Sequence, residues 1–236
     1  MNKDEKKTIS GNNALSITGS LPFEGRWTVG ATPDEIIPSH GTDLFGVGYA
    51  IDFMAVDSQN ETSRKTSWRT HLSSEAPEIF YAFGKPIFSP VSGEIISIHN
   101  GELDHKAYRS LVTLIPYAVT QRSRMRKGPE AIAGNYIVIA PHNTDIYIAI
   151  VHLQLDSLIV KKGDHVIQGE HIANCGNSGN STQPHIHIQA MSSADFYNTV
   201  GIPLYFNEFT QQKKGLKELE VIRRGFPATG AVVSPN

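Results

Sequence analysis

The sequence predicts a mostly β domain: an antiparallel β-sheet or barrel-sandwich-like scaffold with an open groove and long loops. Three features carry this expectation. Short runs of β-branched and aromatic residues alternate with polar ones, and turns rich in Gly, Asn and Asp separate them at short intervals. No amphipathic helical period is visible before the tail.

Residues 1–20 read as a flexible lead-in, with Asn, Ser and Gly scattered and little periodicity. A short strand is expected at 26–30 (RWTVG), followed by a loop through Pro33 and Pro38. Residues 49–56 (YAIDFMAV) form an apolar run with one acid, Asp52, at its centre, and 57–78 reads as a long polar surface loop. The stretch 86–89 (PIFS) leads into 93–99 (GEIISIH), an alternating, isoleucine-rich strand. Residues 100–133 break the pattern and contain a basic run at 122–127 (RSRMRK), read as a solvated loop. Strands resume at 136–140, 146–151, 159–160, 171–175 and 185–190, and 213–224 predicts a turn or more of helix. The expected division is a lead-in over 1–20, a main domain over 21–200 and an extension over 201–236 packing on that domain. Loops 40–51, 57–82 and 101–133 are expected to wall the groove.

With 236 residues, of which 39% are hydrophobic, the chain can build one sizeable core. A formal charge of −2 gives no global field to recruit nucleic acid or anionic lipid. No window approaches the about 18 apolar residues that a transmembrane helix requires, and the charged start MNKDEKK is not followed by the apolar stretch of a secretory signal. The single cysteine, Cys175, excludes an intramolecular disulfide and a cysteine-based zinc site, and reads as a small packed apolar residue.

The segment 176–189, GNSGNSTQPHIHIQ, is the most informative. In a strand, side chains two apart share a face, so His185 and His187 point one way while Ile186 and Ile188 point to the core. Zinc accepts imidazole nitrogen readily, and catalytic sites commonly combine three protein ligands with a water. The plain alternative is two strand-face histidines bonded to neighbours. Asp52 adds weight, because a carboxylate in an apolar run needs a cation or hydrogen bonds to offset its desolvation. His40 lies in the loop upstream, and His152 ends the run IYIAIV, where a strand would carry it to the rim of the sheet. His71, His99, His105, His142, His165 and His171 have no such partners and read as non-catalytic. The GNSGN stretch lacks the following Lys of a phosphate cradle and reads as a turn that places the next strand.

Taken in order, 83–93 (FGKPIFSPVSG), 134–139 (GNYIVI), 151–153 (VHL), 160–169 (VKKGDHVIQG) and 176–189 resemble the landmarks of the LytM/lysostaphin-type metallopeptidases. The segment YAIDF resembles the one that carries that family's metal-binding aspartate. The resemblance covers about residues 26–190 and the ordered set is more specific than any one motif. It implies one zinc ion per chain with His40, Asp52 and His187 as ligands, and His152 and His185 as the catalytic pair. It implies metal-activated water hydrolysing peptide bonds in peptidoglycan crosslinks or stem peptides, and a working compartment outside the cytoplasm. One departure stands out: the commonest family pattern places the first histidine and the aspartate close together, whereas His40 and Asp52 are twelve residues apart. The loop GTDLFGVGYAI would have to return His40 to the metal, and Asp43 is its nearby rival.

Two other functions compete. A degenerate relative of the same fold would bind cell-wall peptide or a partner without catalysis, although here every candidate position is filled. A histidine phosphocarrier is the third reading, since SPVSGEIISI and VKKGDHVIQGEHIA resemble barrel-sandwich hairpins of carrier domains; the His-Ile-His strand and Asp52 have no evident duty there.

Overall fold

Alternation along two central strands decides which face of the molecule is core. In a computed structural model that describes residues 15–64, 74–109 and 128–236, Ile51, Phe53 and Ala55 are fully buried on one side of a strand, with Asp52 and Met54 on the other. Its neighbour repeats the pattern: Ile186, Ile188 and Ala190 face the core, and His187, Gln189 and Met191 the opposite side. Period-two side chains on a twisted ladder make this outcome obligatory once the register is set.

The strands in chain order are β1 (Ile17–Gly19), β2 (Trp27–Val29), β3 (Ile51–Ala55), β4 (Pro86–Phe88), β5 (Gly93–His99), β6 (Asn135–Pro141), β7 (Tyr147–Leu153), β8 (His165–Val166), β9 (His171–Asn174), β10 (Ile186–Met191), β11 (Gly201–Ile202), β12 (Leu204–Gln212), β13 (Glu220–Gly225) and β14 (Val232–Pro235). Among the described residues a short α-helix, α1 (Pro129–Ala133), precedes β6. Among the described residues, twelve strands form one sheet in the order β1-β12-β14-β2-β3-β10-β7-β6-β5-β8, with β11 on β10 and β13 on β12. β4 and β9 pair separately. The sheet does not close into a barrel. Its pairings are antiparallel except one: β1 runs parallel to β12, a departure from the expected all-antiparallel sheet.

The main core lies beneath the β3–β10–β7–β6 centre and is filled by aliphatic side chains with an aromatic group, Phe23, Trp27, Phe53 and Phe206. Phe23 stacks on Trp27 with centroids 4.5 Å apart and meets Phe53 edge-on at 5.0 Å, geometries that aromatic quadrupoles favour. The opposite face is polar only locally. A second apolar cluster, including Tyr136, Val138, Val151, Met191 and Phe196, covers it beside the histidines.

Two expectations are corrected. Residues 213–224 do not form a helix: β12 and β13 make a hairpin, with Gln211 opposite Glu220 and Phe206 opposite Gly225. Pairing with β12 overrides the helix propensity of the Lys, Leu and Glu residues, and Gly215 takes a positive φ of 80° in the turn. Residues 159–160 are extended but not a named strand, although the Ile159 amide bonds to the Ile172 carbonyl. The first 14 residues, His71 and the basic run 122–127 lie outside the described residues.

Cys175 is fully buried just after β9. Burial, then the nearby Asp104 charge, pushes its thiol well above the usual range, so it stays protonated and inert at neutral pH. Native protein at pH 8 is expected to resist a thiol-reactive chromophore and to react fully once denaturant is added; labelling of the native fold at a free-thiol rate would contradict this packing. Phe53→Ala is expected to lower unfolding free energy by about 3–5 kcal/mol, read from denaturant titration.

Candidate metal centre

The register between β3 and β10 brings the site together. His187 is directly opposite Asp52 in the antiparallel ladder, and both project from the face away from the main core. The Asp52 carboxylate therefore meets the His187 ring without any loop having to adjust: Nδ1 lies 2.9 Å from Oδ1. His185 immediately precedes β10, and its Nε2 lies 3.7 Å from the same oxygen. His40 arrives from the other side, with Nε2 3.1 Å from Asp52 Oδ2. The rings of His40 and His187 have centroids 4.8 Å apart.

His152 reaches the site by a different device. Ile148 and Ile150 of β7 face the main core, so strict alternation would send residue 152 there too. Between the pairs Asn135–Leu153 and Ile137–Ile150, β7 contains one extra residue. His152 takes a φ of +63° at this bulge, which returns Leu153 to the core and turns the imidazole toward His185, centroid to centroid 4.7 Å. A left-handed conformation at a non-glycine residue costs of order 1–3 kcal/mol and is found where the surroundings enforce it. Here the His152 ring is held at Nδ1 by the Ser178 carbonyl at 2.9 Å, and Ser178 Oγ is tied to the Leu153 carbonyl at 2.8 Å and the Asn135 amide at 2.9 Å.

The GNSGN stretch is the turn that makes these contacts. Gly179 has a φ of +70°, and a Cβ there would lie 2.4 Å from the Gly134 nitrogen; only glycine lets the two backbones approach so closely.

All five candidate residues, His40, Asp52, His152, His185 and His187, line one cavity of about 320 Å³. Its walls include Phe45 and Val47 from the 40–51 loop and Ile132 from α1. An apolar recess of about 60 Å³, lined by Phe45, Val47, Ala133, Val151 and Phe196, opens beside His152 and His187. Of the remaining histidines, His105, for example, spends its ring on the Lys106 and Gly179 carbonyls. Asp43, the rival near His40, is not in the cluster.

Burial alone would push the Asp52 carboxyl up, but His185 charge and hydrogen bonds from His187 and His40 outweigh it and hold it well below the usual carboxylate range. Burial also opposes charge on His187, yet bonding to Asp52 and Gln189 carries its pKa above the ordinary value. Burial pushes His152 well down, reinforced by His185 and His187; it pushes His185 down as well, with Asp52 offsetting part of the effect.

The residues fit a metal ion. One donor atom from each of His40, Asp52 and His187 lies within 4.8 Å of the others. Two imidazole nitrogens and a carboxylate oxygen are a donor set that zinc accepts. A largely buried carboxylate surrounded by imidazoles needs a positive charge, either a proton on a ring or a cation between the groups. Sequence reading missed two residues behind these donors. Gln189 Oε1 lies 2.9 Å from His187 Nε2 and Ser39 Oγ 3.0 Å from His40 Nδ1; their only sequence signal was position, Gln189 being two residues beyond His187 on the same strand face.

Residues 117–199 match peptidase family M23. The matched M23 segment contains His152, His185 and His187, whereas His40 and Asp52 lie upstream of it and join it only in space. Among curated proteins, 67 residues are 43% identical to the peptidoglycan DD-endopeptidase ShyB of Vibrio cholerae serotype O1, covering 28% of this chain and 15% of that protein. A separate alignment over 57 residues gives 44% identity to the peptidoglycan DD-endopeptidase ShyA of the same organism, covering 24% of this chain and 13% of that protein. The alignments thus span less than a sixth of either relative. Among solved structures, the catalytic domain of the antimicrobial peptidase lysostaphin from Staphylococcus simulans is 18% identical over 75% of this chain and 88% of that one, with a TM-score of 0.38. At that score the likeness carries no weight here. No described helix is long and apolar enough to cross a membrane.

The depressed His152 pKa has a consequence for the metal-free protein. Above the ordinary imidazole value of 6.5 the ring is neutral folded or unfolded, and there is no penalty. Below it, the unfolded chain takes up a proton that the folded site resists, so stability falls with pH until the folded pKa is reached. The melting temperature of the metal-free chain is expected to drop on acidification below pH 6.5, and His152→Gln is expected to flatten that slope. An unchanged slope in the variant would contradict the assignment.

Proposed function

We propose that this chain is a zinc-dependent endopeptidase that hydrolyses peptide bonds in peptidoglycan crosslinks or stem peptides. One observation carries the reading: two imidazoles and a carboxylate converge on a single point, with a second imidazole pair beside them in the same cavity. The M23 match and the peptidoglycan endopeptidases among the relatives support the reaction and substrate class. A substrate of this kind places the working compartment outside the cytoplasm.

His40, Asp52 and His187 would hold the ion, one per chain. When bound, zinc supplies Lewis acidity that polarises a carbonyl and acidifies water. The remaining steps belong to His152 and His185. The Ser178 carbonyl can only accept, so His152 Nδ1 donates and the neutral ring presents a bare Nε2. His185 Nδ1 likewise donates to the Gln183 carbonyl at 2.8 Å, with Ser181 Oγ at 2.9 Å, and its bare Nε2 turns toward Asp52. Their lowered pKa values keep both rings neutral at pH 7, so each can accept a proton from the attacking water. The protonated partner then donates to the developing oxyanion and to the leaving amine. The apolar recess beside His152 gives room for a substrate side chain next to the scissile bond.

Purified chain incubated with cell-wall sacculi is expected to release new amino groups, and a chelator is expected to stop the release until zinc is restored. Failure to release amine with zinc saturating would sink the hydrolase reading; phosphorylation of His185 or His187 by a carrier protein would point to the phosphocarrier instead. Asp52→Ala and His187→Ala are expected to lose the ion. His152→Ala and His185→Ala are expected to keep it while kcat falls by about 10²–10⁴-fold, as metal analysis and initial rates would show together.

A further inference from the structure

The residues between His40 and Asp52 lengthen the connection between two proposed ligands, and they do more than span it. Residues 43–50 fold into a tight turn that includes Phe45 at φ +61° and Gly46 at φ +75°. A Cβ on Gly46 would lie 2.9 Å from Thr199 Cγ2 and 3.2 Å from Met191 Cγ, and one on Gly201 would lie 2.9 Å from the Gly46 carbonyl. The turn is thus pressed against β10 and the 199–201 backbone, with the Phe45 ring edge-on to Tyr197 at 5.8 Å.

Three carbonyls of this turn face the residues behind the ligands. Ser39 Oγ lies 2.8 Å from the Ala50 carbonyl and 3.2 Å from that of Val47. A hydroxyl has one proton to give and both carbonyls only accept, so Ser39 offers His40 Nδ1 a lone pair at 3.0 Å, and Nδ1 must donate. On the other side, Gln189 Nε2 donates to the Phe45 carbonyl at 2.7 Å. That fixes the amide's orientation, so Oε1 faces His187 Nε2 at 2.9 Å, and Nε2 must donate. Each neutral ring therefore carries its proton on the outer nitrogen. With no additional proton on the pair, the inner nitrogens, His40 Nε2 and His187 Nδ1, turn lone pairs toward the two oxygens of Asp52 at 3.1 and 2.9 Å; a proton taken up there instead makes the hydrogen bonds to Asp52 described above. Lone pairs facing a carboxylate repel it, and a cation between them reverses the sign.

We propose that Ser39 and Gln189 are positioning residues for the metal centre, and that the 43–50 turn, through the carbonyls of Phe45, Val47 and Ala50, sets which nitrogen of each imidazole binds the ion. The inference rests on the zinc-site reading above. It assigns the lengthened connection a role in metal affinity, in addition to its place in the cavity wall.

The test measures Zn²⁺ affinity of the full chain by competition with a chromophoric chelator, alongside melting curves and imidazole nitrogen NMR of the zinc-loaded protein. Ser39→Ala and Gln189→Leu are each expected to weaken zinc binding by about 10–100-fold. Gln189→Glu keeps an acceptor oxygen toward Nε2 and is expected to recover most of that loss; Ser39→Thr should do the same for His40. The spectra should show protons on His40 Nδ1 and His187 Nε2, with metal-shifted inner nitrogens. Folded Ser39→Ala and Gln189→Leu proteins that bind zinc as tightly as the unmodified chain, or spectra with the protons on the inner nitrogens, would overturn this inference alone. An unmodified chain that takes up no zinc would overturn the metal-site reading and this inference with it.

Discussion

Asp52 is the point on which the site turns. It sits on β3 directly across from His187 on β10 and is reached by His40 and His185 from either side. A carboxylate with 20% of its side-chain surface exposed, among three imidazoles, demands positive charge in its immediate surroundings. In the metal-free chain that demand favours a proton on His187, whose pKa is raised while that of Asp52 is depressed. In the proposed enzyme a metal ion takes the proton's place. The same electrostatic need holds the cluster together in either state.

The sheet makes this arrangement rigid at its centre. β3, β10 and β7 are adjacent, with cores on both faces, so residues 52, 187 and 152 come from strands rather than from loops. Sites carried on strands keep their geometry better than sites carried on loops. The exception is His40, which reaches the cluster from a loop and relies on the 43–50 turn and Ser39 for its placement. The β7 bulge is the second irregular feature. It supplies a histidine at a position where plain alternation would place a core residue, and its strain is borne by contacts to the Ser178 loop.

The tail belongs to the same sheet. β12 and β14 connect β1 to β2, and Phe206, Phe209 and Val233 contribute to the main core. Residues 204–235 therefore help to hold β2 and, through it, β3 in register with β10.

The sequence alone determined the β character of the fold, the outward direction of His187 and the inward direction of Ile186 and Ile188, because these follow from period-two geometry and local composition; His185, just before the strand, lines the same cavity as His187. The strand at 93–99 was legible to the residue, and several of the ordered motifs lie in the segment 117–199 that matches peptidase family M23. Tertiary structure decided the rest. No local pattern could tell that Lys213 to Arg224 would be drawn into a hairpin, since pairing with β12 is a non-local gain that outweighs propensity. Nor could it show that β7 gains a residue at His152, because a bulge is defined against the partner strand. The orienting roles of Ser39 and Gln189 were invisible for the same reason: a hydroxyl and an amide acquire meaning only when folding fixes which carbonyls they must serve, and so which nitrogen they leave bare.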